Sequence, residues 1–271
     1  MHHANPRSYL FVPANRPERF DRACASGADA VIVDLEDAVP PAEKDAARDA
    51  LSNWLAPDRQ VLVRVNAADT PWHDADLEMC GQPGVAGIVL PKAEMVSGAV
   101  EALSTSGDRL LLPLIETAIG LTRAREIARA RGVRRLVFGS IDFQVDLGID
   151  GDGEELLYFR SQLVLTSRLA GIDAPVDGVC TEIDDPEQLQ ADTLRAKRQG
   201  FGAKLCIHPR QVPLVNDCFT PTTEELAWAE RVLSAAKRAS GAAIAVDGRM
   251  VDRPVLLKAE RILKQAGHPL P

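Results

Sequence analysis

Short apolar runs, rich in β-branched residues, recur along the chain, and each gives way within a few positions to a charged or polar side chain. They read as strands at residues 9–14 (YLFVPA), 30–36 (AVIVDLE), 61–66 (VLVRVN), 87–92 (GIVLPK), 110–116 (LLLPLIE), 135–142 (RLVFGSID), 175–182 (PVDGVCTE) and 204–209 (KLCIHP). Amphipathic stretches of helical period lie between them, among them 41–55, 122–132, 153–171 and 185–200. Strand–helix units in this alternation predict an α/β fold, a (β/α)8 TIM barrel over residues 1–221. Beyond Pro221 the pattern changes. Residues 222–241 predict one long helix, capped by Thr222 or Thr223 and stopped by Gly241, and 254–267 a last one, so 222–271 is expected to be a helical C-terminal extension.

The polar residues at the predicted strand ends are Asn15, Glu36 with Asp37, Arg64 with Asn66, Lys92, Glu116, Asp142, Glu182 and His208. In a barrel of this kind the C-terminal strand ends converge on one mouth, where chemistry is done. Each residue alone has a structural reading: Asp37 can start a helix, Lys92 can be a solvated loop residue, His208 can be a hydrogen-bonded structural histidine. Eight such ends in succession argue for a site. Glu116 and Asp142 come from neighbouring units, and two carboxylates with few other ligands suit Mg²⁺, which keeps waters and takes further oxygens from substrate. Pairing with Arg64 or Lys92 is the alternative use for those acids. Arg64, flanked by valines in VLVRVN, must find an anion, and its planar fork fits a small carboxylate. The stretch AVIVDLEDAV adds Asp34 to Glu36 and Asp37. Three crowded acids at the end of a buried strand need a compensating charge, so Asp34, Glu36, Asp37 and Lys92 are candidates to support a metal site from behind, and Asp34 has the alternative of pairing with a basic neighbour.

Composition removes several classes of function. The 271 residues carry a formal charge of -8, which argues against a nucleic acid partner, and no apolar run is long enough to span a bilayer, which argues against a membrane role. Cys24, Cys80, Cys180, Cys206 and Cys218 are odd in number and scattered without a CxxC pair. With no secretory layout at the N-terminus, they predict reduced thiols in the cytoplasm rather than disulfides or a zinc site.

Ordered along the chain, the segments YLFVPANRPERF (9–20), VIVDLEDAV (31–39), VLVRVNA (61–67), IVLPKAE (88–94), LIETAIG (114–120), FGSIDF (138–143), CIHPRQV (206–212) and DGRMVDRPVLLKAERIL (247–263) carry a resemblance. The chain resembles the citrate lyase β-subunit-like proteins of the HpcH/HpaI aldolase superfamily, which include malyl-CoA and citramalyl-CoA lyases. The resemblance implies a Mg²⁺-dependent barrel, a trimer or hexamer, acting on carbon–carbon bonds of acyl-CoA esters, so coenzyme A is part of the substrate. It implies Glu116 and Asp142 as metal ligands, Glu116 also touching substrate, and Arg64 as the clamp on the substrate carboxylate. Phe11 and Arg16 match positions lining the CoA or substrate pocket. Arg22 stands where related lyases often carry lysine. Asp252 matches an aspartate that in several relatives reaches into a neighbouring subunit's site, where it would exchange a proton with the acyl-CoA carbon. Arginines 7, 16, 19 and 22 form a basic cluster suited to CoA phosphates.

The expected reaction cleaves or forms a β-hydroxyacyl-CoA such as citramalyl-, malyl- or citryl-CoA, giving a 2-oxo acid and an acyl-CoA. A metal-dependent aldolase of free pyruvate or oxaloacetate with an aldehyde, a non-catalytic ligand-binding subunit, and a citrate lyase β-subunit working with an acyl-carrier partner are the alternatives.

Overall fold

The computed structural model describes residues 6–107, 109–239 and 244–268. Eight parallel strands, β1 (Ser8–Pro13), β2 (Ala30–Asp34), β3 (Val61–Arg64), β4 (Val85–Leu90), β5 (Leu110–Ile115), β6 (Val137–Phe138), β7 (Val176–Asp177) and β8 (Ala203–Cys206), pair in chain order. Pairing of β8 with β1 closes them into a barrel. Helices α1 (Phe20–Cys24), α2 (Lys44–Trp54), α3 (His73–Met79), α4 (Gly98–Ser106) and α5 (Ala118–Ile127) follow the first five strands in turn. α6 (Ser140–Leu147) and α7 (Leu157–Ala170) both follow β6, α8 (Pro186–Gln199) follows β7, and α9 (Val212–Phe219) follows β8. The expected TIM barrel is the fold.

Strand periodicity sets what the barrel holds. Tyr9, Ile32, Leu62, Val89, Leu112, Val137, Val176 and Ala203, one from each strand, meet in a single buried cluster. Side chains alternate faces along a strand, so the residue two or four positions on points up the same inner wall towards the mouth. That rule carries Phe11, Asp34, Arg64, Leu114, Glu116 and Ile207 to one cavity.

Two predicted strands need correction. The strand expected to run to Asp142 pairs only through Phe138, and the chain enters α6 at Ser140, which puts Asp142 in that helix's first turn. β7 is likewise only two residues long. The short α3 gives little apolar signal because two of its buried positions are His73 and Asp76. Asp76 accepts from both the backbone and side-chain nitrogens of Asn66 at 2.9 and 2.6 Å, so Asn66 is engaged there with α3.

The chain divides into two compact units, Met1–Asn216 and Asp217–Pro271. The second contains α10 (Thr223–Ala239), a hairpin of β9 (Ile244–Val246) and β10 (Arg249–Val251), and α11 (Arg253–Gln265). Thr222 and Glu225 close a reciprocal cap at the start of α10, as the sequence suggests. Gly241, expected to stop that helix, lies outside the described residues. The hairpin was not anticipated: Asp247 and Gly248 both take positive φ, 51° and 74°, the backbone of a tight two-residue turn. Ala229, Val232, Val246, Val251, Ala259, Ile262 and Leu263 form the unit's own core. Among the described residues no helix is long and apolar enough to cross a membrane.

Candidate active site

Arg64 is the centre of charge at the barrel mouth. Its Nε and Nη2 donate to Asp34 Oδ1 and Oδ2, both at 2.7 Å, in a two-pronged pair, and its Nη1 donates to Asp37 Oδ2 at 3.4 Å. Glu36 Oε2 lies 3.0 Å from the same Nη1, close enough for charge attraction but off a hydrogen-bonding direction. The guanidinium also stacks over Phe11, 4.9 Å from the ring centre. Burial alone would lower its pKa, yet the charge and hydrogen bonds of Asp34, with Glu36 and Asp37, outweigh that and raise it. Asp34 thus takes the basic neighbour, and its inward direction follows from the alternation that buries Ile32.

Behind this pair, Glu36 receives Lys92 Nζ at 3.3 Å. Burial pushes the Glu36 carboxyl up to about 7 against the pull of Arg64. Lys92 holds φ at 45°, a left-handed backbone that side-chain-bearing residues adopt at a cost. In that conformation its N–H donates to Glu116 Oε1 at 2.6 Å. The second oxygen of Glu116 is buried with no hydrogen-bond partner, and burial, opposed by the Lys92 N–H and reinforced by Glu36 and Asp142, pushes the carboxyl up to about 8. Gly139 makes room for it: a Cβ there would come within 2.5 Å of Glu116 Oε2. Asp142, exposed one helical turn further on, lines the same cavity of about 390 Å³.

This donor set suits one hard divalent ion. An orphaned carboxylate oxygen on Glu116 and the solvent-facing Asp142 would offer such an ion two oxygens, leaving the rest to water and substrate, as Mg²⁺ prefers. Among the described residues no group of three or more His, Cys, Asp or Glu is placed to hold a metal ion by itself. Charge points the same way. Asp34, Glu36, Asp37, Glu116 and Asp142 face Arg64, Lys92 and the buried Lys44, an excess of two negative charges when all are ionised. The alternative use for Glu116 and Asp142, side-chain pairing with Arg64 or Lys92, is not what the geometry gives, since both cations turn to the β2 acids.

Other expected residues fall less centrally. Phe11 lines the cavity, whereas Arg16 and Arg22 are exposed on the segment after β1 and outside its lining. Arg7, from the same basic cluster, is held by Asp29 at 2.7 Å. His208 caps the turn before α9, its Nδ1 accepting from Arg210 N at 3.1 Å, which is the structural role. Glu182 is exposed. Asp252 caps α11 by accepting from Val255 N at 3.2 Å.

Two features escaped the sequence reading. Lys44, at the start of α2, is buried and donates to the carbonyls of Leu35 and Glu36, both at 2.7 Å. Lys204 and Asp177 point away from the barrel interior and pair at 3.0 Å, and Arg160 on α7 joins Asp177 at 2.8 Å. A lysine between Ala203 and Leu205 was the available signal, because a buried strand ammonium must have an anion beside it.

The family described as HpcH/HpaI aldolase/citrate lyase matches residues 7–209. A citrate lyase subunit beta-like protein of Deinococcus radiodurans is 40% identical over 276 residues, covering 95% of this chain and 96% of the relative. The citrate lyase subunit beta of Leuconostoc mesenteroides is 35% identical over 281 residues, 96% of this chain and 93% of its own. Among solved structures, CitE of Mycobacterium tuberculosis in complex with magnesium, acetoacetate and coenzyme A superposes with a TM-score of 0.85 at 39% identity, covering 98% of this chain and 99% of that one.

Proposed function

The chain belongs to the HpcH/HpaI aldolase/citrate lyase family, and from that premise we propose a Mg²⁺-dependent carbon–carbon lyase. It would cleave, or form, a β-hydroxyacyl-CoA ester of the citramalyl-, malyl- or citryl-CoA type, giving a small oxo acid and an acyl-CoA. The observation that carries this reading is the orphaned, buried Glu116 oxygen sharing a cavity with Asp142 and Arg64. The CitE complex, with magnesium, an oxo acid and coenzyme A together, supports the same set of ligands.

Glu116 and Asp142 would hold the ion, with Glu36, Asp37 and Lys92 supporting them from behind. When bound, Mg²⁺ supplies a fixed positive charge that favours loss of the substrate's hydroxyl proton and the carbonyl oxygen that follows. Arg64, held rigid by Asp34, keeps N–H groups for the substrate carboxylate and fixes the bond to be broken against the acids of β5 and α6. Phe11 packs the arginine from the β1 side. Arg16 and Arg22 offer exposed charge for the CoA phosphates. Asp252, supplied by a neighbouring copy in a homotrimer or hexamer, would give a proton to the acyl-CoA carbon on cleavage and take it in synthesis. The free thiols of Cys24, Cys80, Cys180 and Cys206 fit a reducing compartment, the cytoplasm.

A panel of CoA thioesters assayed for Mg²⁺-dependent release of oxo acid tests the proposal. Glu116→Gln and Asp142→Asn should lower kcat/KM by about 10²-fold or more, and Arg64→Ala should raise KM steeply or abolish turnover. Metal-site variants within a few-fold of the parent would remove the ion from the mechanism.

A further inference from the structure

Among the described residues lining the cavity, two buried oxygens find no hydrogen-bond partner in the protein: Glu116 Oε2, which the ion would take, and Ser140 Oγ. A glycine makes room for each. A Cβ on Gly139 would crowd the Glu116 oxygen, and one on Gly178 would fall on Ser140 Oγ. Gly178 is held from outside the barrel, because Asp177 beside it is fixed by Arg160 at 2.8 Å and by Lys204 at 3.0 Å. Ser140 is only 1% exposed, so its hydroxyl has left water without gaining a partner, which costs stability. A ligand oxygen would offset that cost.

We propose that Ser140 is a catalytic residue whose Oγ–H donates a hydrogen bond to the thioester carbonyl oxygen as negative charge develops there. This rests on the lyase reading above. The sign of the ligand follows from the surroundings. Ser140 opens α6, and the N-cap, Gly139, has no side chain to accept from the first-turn N–H groups. The positive end of an eight-residue helix therefore opens on the same space, which favours an oxygen carrying negative charge. The identity of that oxygen follows from the barrel. Arg64, the seat of the substrate carboxylate, ends β3, whereas Ser140 follows β6 and abuts Gly178, just after β7. β3 and β7 are four strands apart in a closed ring of eight, so they face each other across the mouth, with Glu116 of β5 between them. With its carboxylate on Arg64, the substrate brings its acyl-CoA half to Ser140. On cleavage the substrate hydroxyl gives its proton to solvent and becomes the carbonyl of the oxo acid. The electron pair of the broken carbon–carbon bond moves onto the thioester oxygen, which Ser140 meets with a hydrogen bond while keeping its own proton. The proton from Asp252 then restores the acyl-CoA carbon.

The test compares Mg²⁺-loaded Ser140→Ala with the parent on the parent's best thioester, with pyruvate affinity by calorimetry and thermal melting alongside. The fall should be about 10²-fold and lie in kcat, with KM and pyruvate Kd little changed, because the bond strengthens only as charge develops. The variant should melt at or above the parent, since alanine removes an unpaired buried hydroxyl, and that separates lost chemistry from a lost fold. A fall in kcat of about tenfold or more upholds the assignment, and a smaller one overturns it. Pyruvate binding weakened by about tenfold or more also overturns it, because Ser140 would then hold the oxo acid itself. A variant that melts below the parent makes the hydroxyl structural and overturns it too. A parent without turnover on any thioester sinks the lyase reading, and this assignment with it.

Discussion

Glu116 is divided between two tasks: one oxygen is fixed by the backbone of Lys92 at 2.6 Å, and the other is left bare inside the protein. The strained φ of Lys92 is what turns that N–H towards the carboxylate, so a lysine in the middle of IVLPKAE matters through its main chain as much as its charge. Protonation is the cheapest way for such a group to live without a cation. Burial pushes Glu36 up to about 7 and Glu116 up to about 8, so the folded protein holds protons that an unfolded glutamate, near 4.5, has released. The stability they contribute is full below the unfolded value and is lost as pH rises through the folded values. Protein stripped of divalent ions should therefore melt lower at about pH 8.5 than at about pH 5.5, with Mg²⁺ restoring the loss and Glu116→Gln flattening the slope. Thermal melts with the parent's pH dependence in Glu116→Gln would contradict this.

At the scale of elements, the segment between β2 and α2 is held from both sides, by Lys44 behind it and by Asp34 at the cavity. Lys44 gathers the carbonyls of Leu35 and Glu36 and stacks against Trp72, 5.4 Å from the ring centre. Asp34 closes the same turn from the other side by accepting from the backbone N–H groups of Glu36 and Ala38. Glu36 and Asp37 are thus aimed at Arg64 by a loop braced at the carbonyls of Leu35 and Glu36 and at the N–H groups of Glu36 and Ala38. Lys44→Met keeps most of the side-chain volume but takes the ammonium donor from two buried carbonyls, of which that of Glu36 keeps the Val39 N–H at 2.9 Å. It should cost about 1–3 kcal/mol in denaturant unfolding and raise KM for the thioester, because Arg64 loses its bracket. Unchanged stability together with unchanged KM would show that the loop holds itself. On the far side, Arg160 takes the backbone and side chain of Asp152 at 2.7 and 2.8 Å while also holding Asp177, tying the segment after α6 to α7 and β7.

Across the whole molecule, the barrel was legible because eight apolar runs each ended in a polar residue, and parity along each strand then chose which of them turn inward. Asp34, Arg64 and Glu116 follow that rule from Ile32, Leu62 and Leu114. Asp142 did not follow it. Its segment pairs for only two residues before a helix begins, and nothing in FGSID marks that early stop except the glycine that must sit against Glu116. Lys44 carries no mark in the sequence, since a carbonyl partner leaves no trace there. The hairpin of the C-terminal unit could have been read from VDGRMV, where Asp-Gly between two short apolar-ended runs is a turn signal. The most direct measurement is anomalous diffraction from crystals soaked in Mn²⁺ and pyruvate. A manganese peak touching both Glu116 and Asp142, with the pyruvate carboxylate on Arg64 and Asp252 of a neighbouring copy at the mouth, is the predicted result. A peak elsewhere, or none between those two acids, would contradict the account.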